Sequence, residues 1–215
     1  MRAKYFIYIV LKLYYSGMAT LSKPNEQQVV KFWQLILETP TNQNPMTDSS
    51  GGLSLHGQDP SNNPLYLSGN TGGNNTRNIP NPIPSGREIF IAVNPVVVTE
   101  VEAKAKNTSA DLRKLASDDE DSATKANLTI NGEVHDLKTL NFRVPTEPFN
   151  VTLPPEALWG ASPPGTSKAV ADGYYAITNA LTPGNYKIDI DAEVSNSFEK
   201  SAPWQSKVTY NFKVV

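Results

Sequence analysis

Residues 170 to 215 read VADGYYAITNALTPGNYKIDIDAEVSNSFEKSAPWQSKVTYNFKVV, and their periodicity decides the fold class. Tyr186, Ile188, Ile190, Ala192 and Val194 alternate with Lys187, Asp189, Asp191 and Glu193. Further on, Val208, Tyr210, Phe212 and Val214 alternate with Thr209, Asn211 and Lys213. A period of two puts every apolar side chain on one face and every polar one on the other, the mark of an antiparallel strand half covered by a core. Pro183-Gly184 supplies a tight turn ahead of the first strand.

Upstream, strand signals recur at short spacing. Leu65-Tyr66-Leu67 is a short strand, Arg87 to Val93 an apolar central one, and Phe149, Val151 and Leu153 alternate before Pro154-Pro155. Leu128-Thr129-Ile130 runs into Asn131-Gly132, the dipeptide best suited to a two-residue hairpin turn, and Val134 returns. Gly69 to Asn75 reads as a loop tip, residues 40 to 64 as a long ordered loop and 160 to 167 as a flexible one.

Two patches are helical. Ser22 is placed to cap the first, with Pro24 in its first turn, and Val29, Phe32, Trp33, Ile36 and Leu37 recur at three and four spacing until Pro40. The second spans Thr99 to Thr124, with Thr108 or Ser109 capping its later part and Asp111 in the first turn. The expectation is a mainly β fold, an antiparallel, jelly-roll-like β-sandwich with one N-terminal helix and one inserted helical segment. Residues 20–215 form a single domain, a size suited to one core.

Residues 1–19 stand apart. Arg2 and Lys4 precede an apolar run from Tyr5 to Val10, with Gly17 and Ala19 at cleavage spacing, the shape of a signal peptide. Lys12 and four tyrosines disturb that shape, so an upstream extension before a start at Met18 stands beside it. The first reading places the protein outside the cell or on its surface, the second in the cytoplasm. The run is too short to cross a bilayer, which needs about 20 apolar residues.

Composition excludes several classes. A net charge of −2 with mixed signs gives no basic footprint for nucleic acid. Without cysteine there is no disulfide, thiolate metal site or cysteine nucleophile. No phosphate-cradling loop, nucleophile elbow or cofactor motif occurs. The acids Asp118-Asp119-Glu120-Asp121 lack the Gly of a calcium loop and read as a solvated helix end, and Asp189, Asp191 and Glu193 as a solvated ladder; calcium is the one ion these groups could take. His135 is expected to be exposed at an edge. His56, in the Gly-rich loop, is the better candidate for chemistry. Trp33, Trp159 and Trp204 would serve a sugar platform only if exposed, and as core or rim residues otherwise. The Asn-x-Ser/Thr sequons at Asn74, Asn107, Asn127 and Asn150 are what so much Asn, Ser and Thr yields by chance.

Several landmarks occur in order: Phe32-Trp33-Gln34 to Thr39-Pro40; Asn44-Pro45-Met46-Thr47-Asp48 with Gly52 and Gly57-Gln58; Ile83-Pro84-Ser85-Gly86-Arg87; Ala171-Asp172-Gly173-Tyr174-Tyr175; Leu181-Thr182-Pro183-Gly184; and Val208-Thr209-Tyr210. In this the chain resembles a widespread, uncharacterised family of mostly secreted prokaryotic proteins of about 200 residues. That family carries W-Q, N-P-x-x-D…G-Q, I-P-x-G-K, A-x-x-D-G-Y, L-P-P-G and V-T-Y motifs, over what is here residues 29 to 215. Its two cysteines would fall near Ser54 and Asn81, and both are replaced. The resemblance implies a fold and export but no reaction.

The expected function is therefore a non-enzymatic β-sandwich module at or outside the cell surface, with a binding or structural role. Its partner would be a glycan or a cell-surface protein. The alternatives are a carbohydrate-binding module, and a hydrolase whose carboxylates, such as Asp48 and Asp172, converge only in space. Asn44, Asp48, His56, Gln58, Arg77 and Asp172 are the candidate loop site, with Gly57 among them, gathered near an Asp172-Gly173 turn.

Overall fold

The computed structural model describes residues 19–59, 61, 63–105, 111–158, 163–195 and 203–215. Residues 1–18 of the segment read as a signal peptide or extension, Thr108 and Ser109, Asn107 and Trp159 lie outside them, whereas Ala19, assigned to that segment, is buried in the main core. The described chain is mainly β, with ten strands in two five-stranded sheets and three helices.

The first sheet is built on β4 (Ile89–Thr99) and β8 (Gly165–Thr178), paired antiparallel. On β4's far edge lies β2 (Leu65–Leu67). On β8's other edge lie β7 (Phe149–Leu153) at one end and β1 (Leu21–Ser22) at the other. The second sheet runs β3 (Gly73–Asn78), β10 (Trp204–Val214), β9 (Gly184–Val194), β5 (Ala123–Ile130) and β6 (Glu133–Asp136). Two pairings are parallel, β2 with β4 and β3 with β10, so both sheets are mixed rather than purely antiparallel.

Burial explains the two sequence textures. Ile89, Ile91 and Val93 of β4 join Leu128, Ile188, Ile190, Val208 and Phe212 in the main core. Phe90, Ala92 and Tyr175 face the other way, onto Phe32, Trp33 and Ile36 of α1 (Glu26–Glu38). Strands covered on both faces read as continuous apolar runs, which is how β4 and β8 read. β9 and β10 are covered on one face only and alternate.

Helix α1 starts later than its sequence suggests. Ser22 belongs to β1, and the cap is Asn25, whose side chain accepts from Gln28 N while Gln28 reaches back to Asn25 N, a reciprocal capping box. In the inserted segment, α2 (Glu100–Ala105) follows β4 directly, and α3 (Leu112–Asp121) is capped by Asp111, which accepts from Arg113 N. The tip assigned to Gly69–Asn75 ends at Gly73, where β3 begins. Likewise Gly165–Ser167, expected in a loop, open β8. Each gains strand structure from a partner strand, β10 for Gly73–Asn75 and β7 for Gly165–Ser167, so local composition misses it.

Candidate functional site

The loop residues singled out by sequence fasten backbone. Asn44 donates to the carbonyls of Ile36 (2.6 Å) and Thr39 (3.0 Å) and accepts from Met46 N (3.0 Å), closing the C-terminus of α1. Asp48 accepts from the N–H groups of Ser50, Gly51 and Leu53 and from the Ser50 hydroxyl. Burial alone would raise its pKa, but these four donors outweigh it and hold the carboxyl below its ordinary range. Gln58 donates to Tyr66 O (2.9 Å) and accepts from Tyr66 N (2.7 Å), satisfying the outer edge of β2. Gly57 opens outward at φ 71°, and His56 lies half-buried beside it.

Arg77 is fully buried on β3. Its guanidinium donates to the carbonyls of Ser68, Gly69 and Met46 (each 3.2 Å) and to the Tyr210 hydroxyl. Met46 thus joins Asn44 to Arg77. The family-like motifs tie to one another as well: Gly86 N donates to Leu181 O (2.9 Å) and Leu181 N to Arg87 O (2.8 Å).

Asp172 belongs elsewhere. Asp172-Gly173 is no turn but the middle of β8, opposite Val96 and Pro95, beside a register shift between Ala92 and Asn94. Here residues 142–146 take the place of an edge strand, with Val144 N bonded to Gly173 O and Thr146 N to Ala171 O. Arg143 arrives on that segment and grips Asp172 with Nε (2.9 Å) and a terminal nitrogen (2.8 Å), while its other terminal nitrogen binds Asp121. Among the described residues, no hydrogen bond or ion pair links Asp172 to Asn44, Asp48, His56, Gln58 or Arg77. The expected single site is two assemblies.

The second assembly holds residues that sequence reading missed. Glu120 is buried (1 % exposed), and both its oxygens face the Asn94 amide at 3.2 and 3.4 Å. Burial first, then the nearby Asp172 carboxylate, pushes its pKa well above the ordinary value. The one available signal was helical spacing, since Ala116 and Glu120 share the buried face of α3. The acid run is thus no plain solvated helix end: Asp118 pairs with Lys114, Glu120 points inward and Asp121 meets Arg143. Among the described residues, no cluster of three or more His, Asp or Glu side chains could hold a metal.

The outer face of the second sheet is different again, because the three helices pack on strands of the first sheet. Asn78, Asn211 and Lys187 stand side by side across β3, β10 and β9, and Lys187 exchanges backbone and side-chain bonds with Asn131. The next row is Thr76, Thr209, Asp189 and Thr129. The carboxylate ladder is compensated: Asp189 by Lys187 on its own strand and, across strands, by Thr209, Asp191 by Lys125 and Lys207, Glu193 by Gln205. A depression of about 430 Å³ opens here, lined by Asn131, Asn185, Lys187, Asn211 and the strand positions Tyr186 and Phe212. Among the described residues the tryptophans make no platform: Trp33 is buried against Tyr175, and half-buried Trp204 donates to Thr71 O. His135, expected to be exposed, is half-buried on β6.

Comparison with protein-family models, curated proteins and solved structures yields no match for this chain.

Proposed function

We propose that the chain is a non-catalytic β-sandwich module acting at or outside the cell surface, and that it binds through the outer face of its second sheet. The observation that carries this is the depression that Asn131, Asn185 and Asn211 line together with Tyr186 and Phe212, on a face that none of the described helices covers. The order of its motifs supports kinship with the secreted family described above, and through it export. The hydrolase alternative has less support, because Asp48 is spent on backbone N–H groups and Asp172 on Arg143.

A glycan is the partner class we favour over a cell-surface protein. Primary amides both donate and accept, which suits paired hydroxyls. Lys187 is already neutralised by Asp189 at 3.0 Å, so the site asks for no ionic ligand. The test is an NMR titration of the labelled protein with a panel of neutral oligosaccharides. Shifts at 131, 185, 187 and 211, and a loss of affinity of about tenfold in Asn185→Ala/Asn211→Ala, are expected. Absence of shifts on this face with every glycan sinks the glycan reading. A cell-surface protein that shifts the same residues would make the protein the partner.

A further inference from the structure

The last turn of α3 carries a charge arrangement that cannot be balanced with every group ionised. Glu120, Asp121 and Asp172 converge on one cation, Arg143, which is already bidentate on Asp172 and bonded to Asp121. Among the described residues, the Glu120 carboxyl accepts hydrogen bonds from the neutral Asn94 amide alone, and Arg143 acts on it without bonding to it. It is also the penultimate residue of α3, at the end where the helix dipole is negative and disfavours an anion. A buried carboxylate without a cation is costly, and the ordinary relief is to keep its proton.

The groups facing Glu120 come from every surrounding element. From β4 there is Asn94. From β8 there are Asp172 and the phenols of Tyr174 and Tyr175. The 142–146 segment brings Arg143, and α3 itself adds Asp119 and Asp121. Arg143 is the one cation in this set.

Arg143 ties the helix down through Asp121 and through the Ser117 carbonyl and hydroxyl, and a small buried patch does the rest. Ala116 and Glu120 are the buried residues of α3, and the apolar cluster beneath it is Val98, Ala116 and Val170, edged by Val96, Leu112 and Leu115. Its link through Arg113 to Glu147 is a surface pair, a kind that contributes little in water. Glu120 is therefore one of the two side chains that the helix buries, and the polar one.

We propose that Glu120 is a proton-operated latch: α3 lies on the first sheet while the Glu120 carboxyl carries its proton, and ionisation releases the helix from β4 and β8. The two-state element is α3 itself, and the bias is the uncompensated charge that ionisation creates beneath it. Release uncovers Val98 and Val170 and the Arg143–Asp172 pair, a surface that the protonated form hides.

The test uses the full chain with carbon-13-labelled glutamate and nitrogen-15 backbone. The Glu120 side-chain carboxyl signal is followed with pH, alongside heteronuclear NOE values for residues 112–121. The expected result is a Glu120 midpoint well above the ordinary glutamate value of 4.5, and loss of order in α3 at that same midpoint. Glu120→Gln, which keeps the shape without the titration, should hold α3 ordered throughout. Titration of Glu120 in the ordinary carboxylate range overturns the latch. So does a helix that stays ordered after Glu120 has ionised. Both readouts come from the unsubstituted protein, so the answer stands even if the glutamine variant does not fold.

Discussion

Arg77 shows how a charged residue can serve this fold with no ion-pair partner among the described residues. Its guanidinium is sealed inside, and its partners are three carbonyls, a serine and a tyrosine hydroxyl, with the Tyr210 ring 5.4 Å away. Arginine keeps its charge under such burial, so the hydrogen bonds must offset the desolvation. Arg77→Met would leave buried carbonyls unpaired and should cost roughly 3 kcal/mol or more in urea unfolding. Ser54 is the converse. Its buried hydroxyl has no hydrogen-bond partner among the described residues. Ser54→Ala should therefore stabilise the protein by about 1 kcal/mol in the same assay. Gly173 is needed for its backbone: at φ 149°, a Cβ would sit 2.5 Å from Asn94 O and 3.0 Å from Pro95 Cα. Gly173→Ala should cost about 3 kcal/mol and disturb the Asn94–Glu120 contact with it.

At the scale of elements, the start of α1 offers a clean discrimination. Asn25 makes the reciprocal cap with Gln28, whereas Ser22, the residue first read as the cap, lies in β1. Asn25→Ala should lower stability by about 1 kcal/mol, and Ser22→Ala should leave the cap untouched, as thermal melts of the two variants would reveal. The amphipathic stripe of α1 was legible because helical periodicity is a local property. The strand β3 was not. Its sequence GNNTRN contains nothing that local reasoning assigns to a sheet, and it becomes a strand because β10 offers it a parallel edge. The 142–146 segment likewise acts as an edge strand only because β8 leaves a gap between β7 and β1.

For the whole molecule, two carboxyls with opposite shifts frame the dependence of stability on pH. Asp48 is held below its ordinary value of 3.8, so its contribution is present above that pH and is lost as pH falls through the lower folded value. Glu120 is raised above 4.5, so its contribution is fully present below that pH and is lost as pH rises through the folded value. Denaturant unfolding followed across pH should therefore show an acid limb and an alkaline limb. Glu120→Gln should flatten the alkaline limb and leave the acid one in place; an unchanged alkaline limb would mean that Glu120 does not titrate between the folded and unfolded states.

The sequence alone determined the class of fold, the amphipathic helix and the alternation of β9 and β10, because side-chain periodicity follows directly from backbone geometry. It also marked Asn44, Asp48, Gln58, Arg77 and Asp172 as unusual, but not what they are for. Only the tertiary structure decided that the first four of these brace loops while Asp172 sits with Asn94, Glu120 and Arg143. Those four come from β8, β4, α3 and the 142–146 segment. The Asn94–Glu120 and Arg143–Asp172 contacts join residues 26 and 29 positions apart and have no period to read, so they exist only once the sheets have closed.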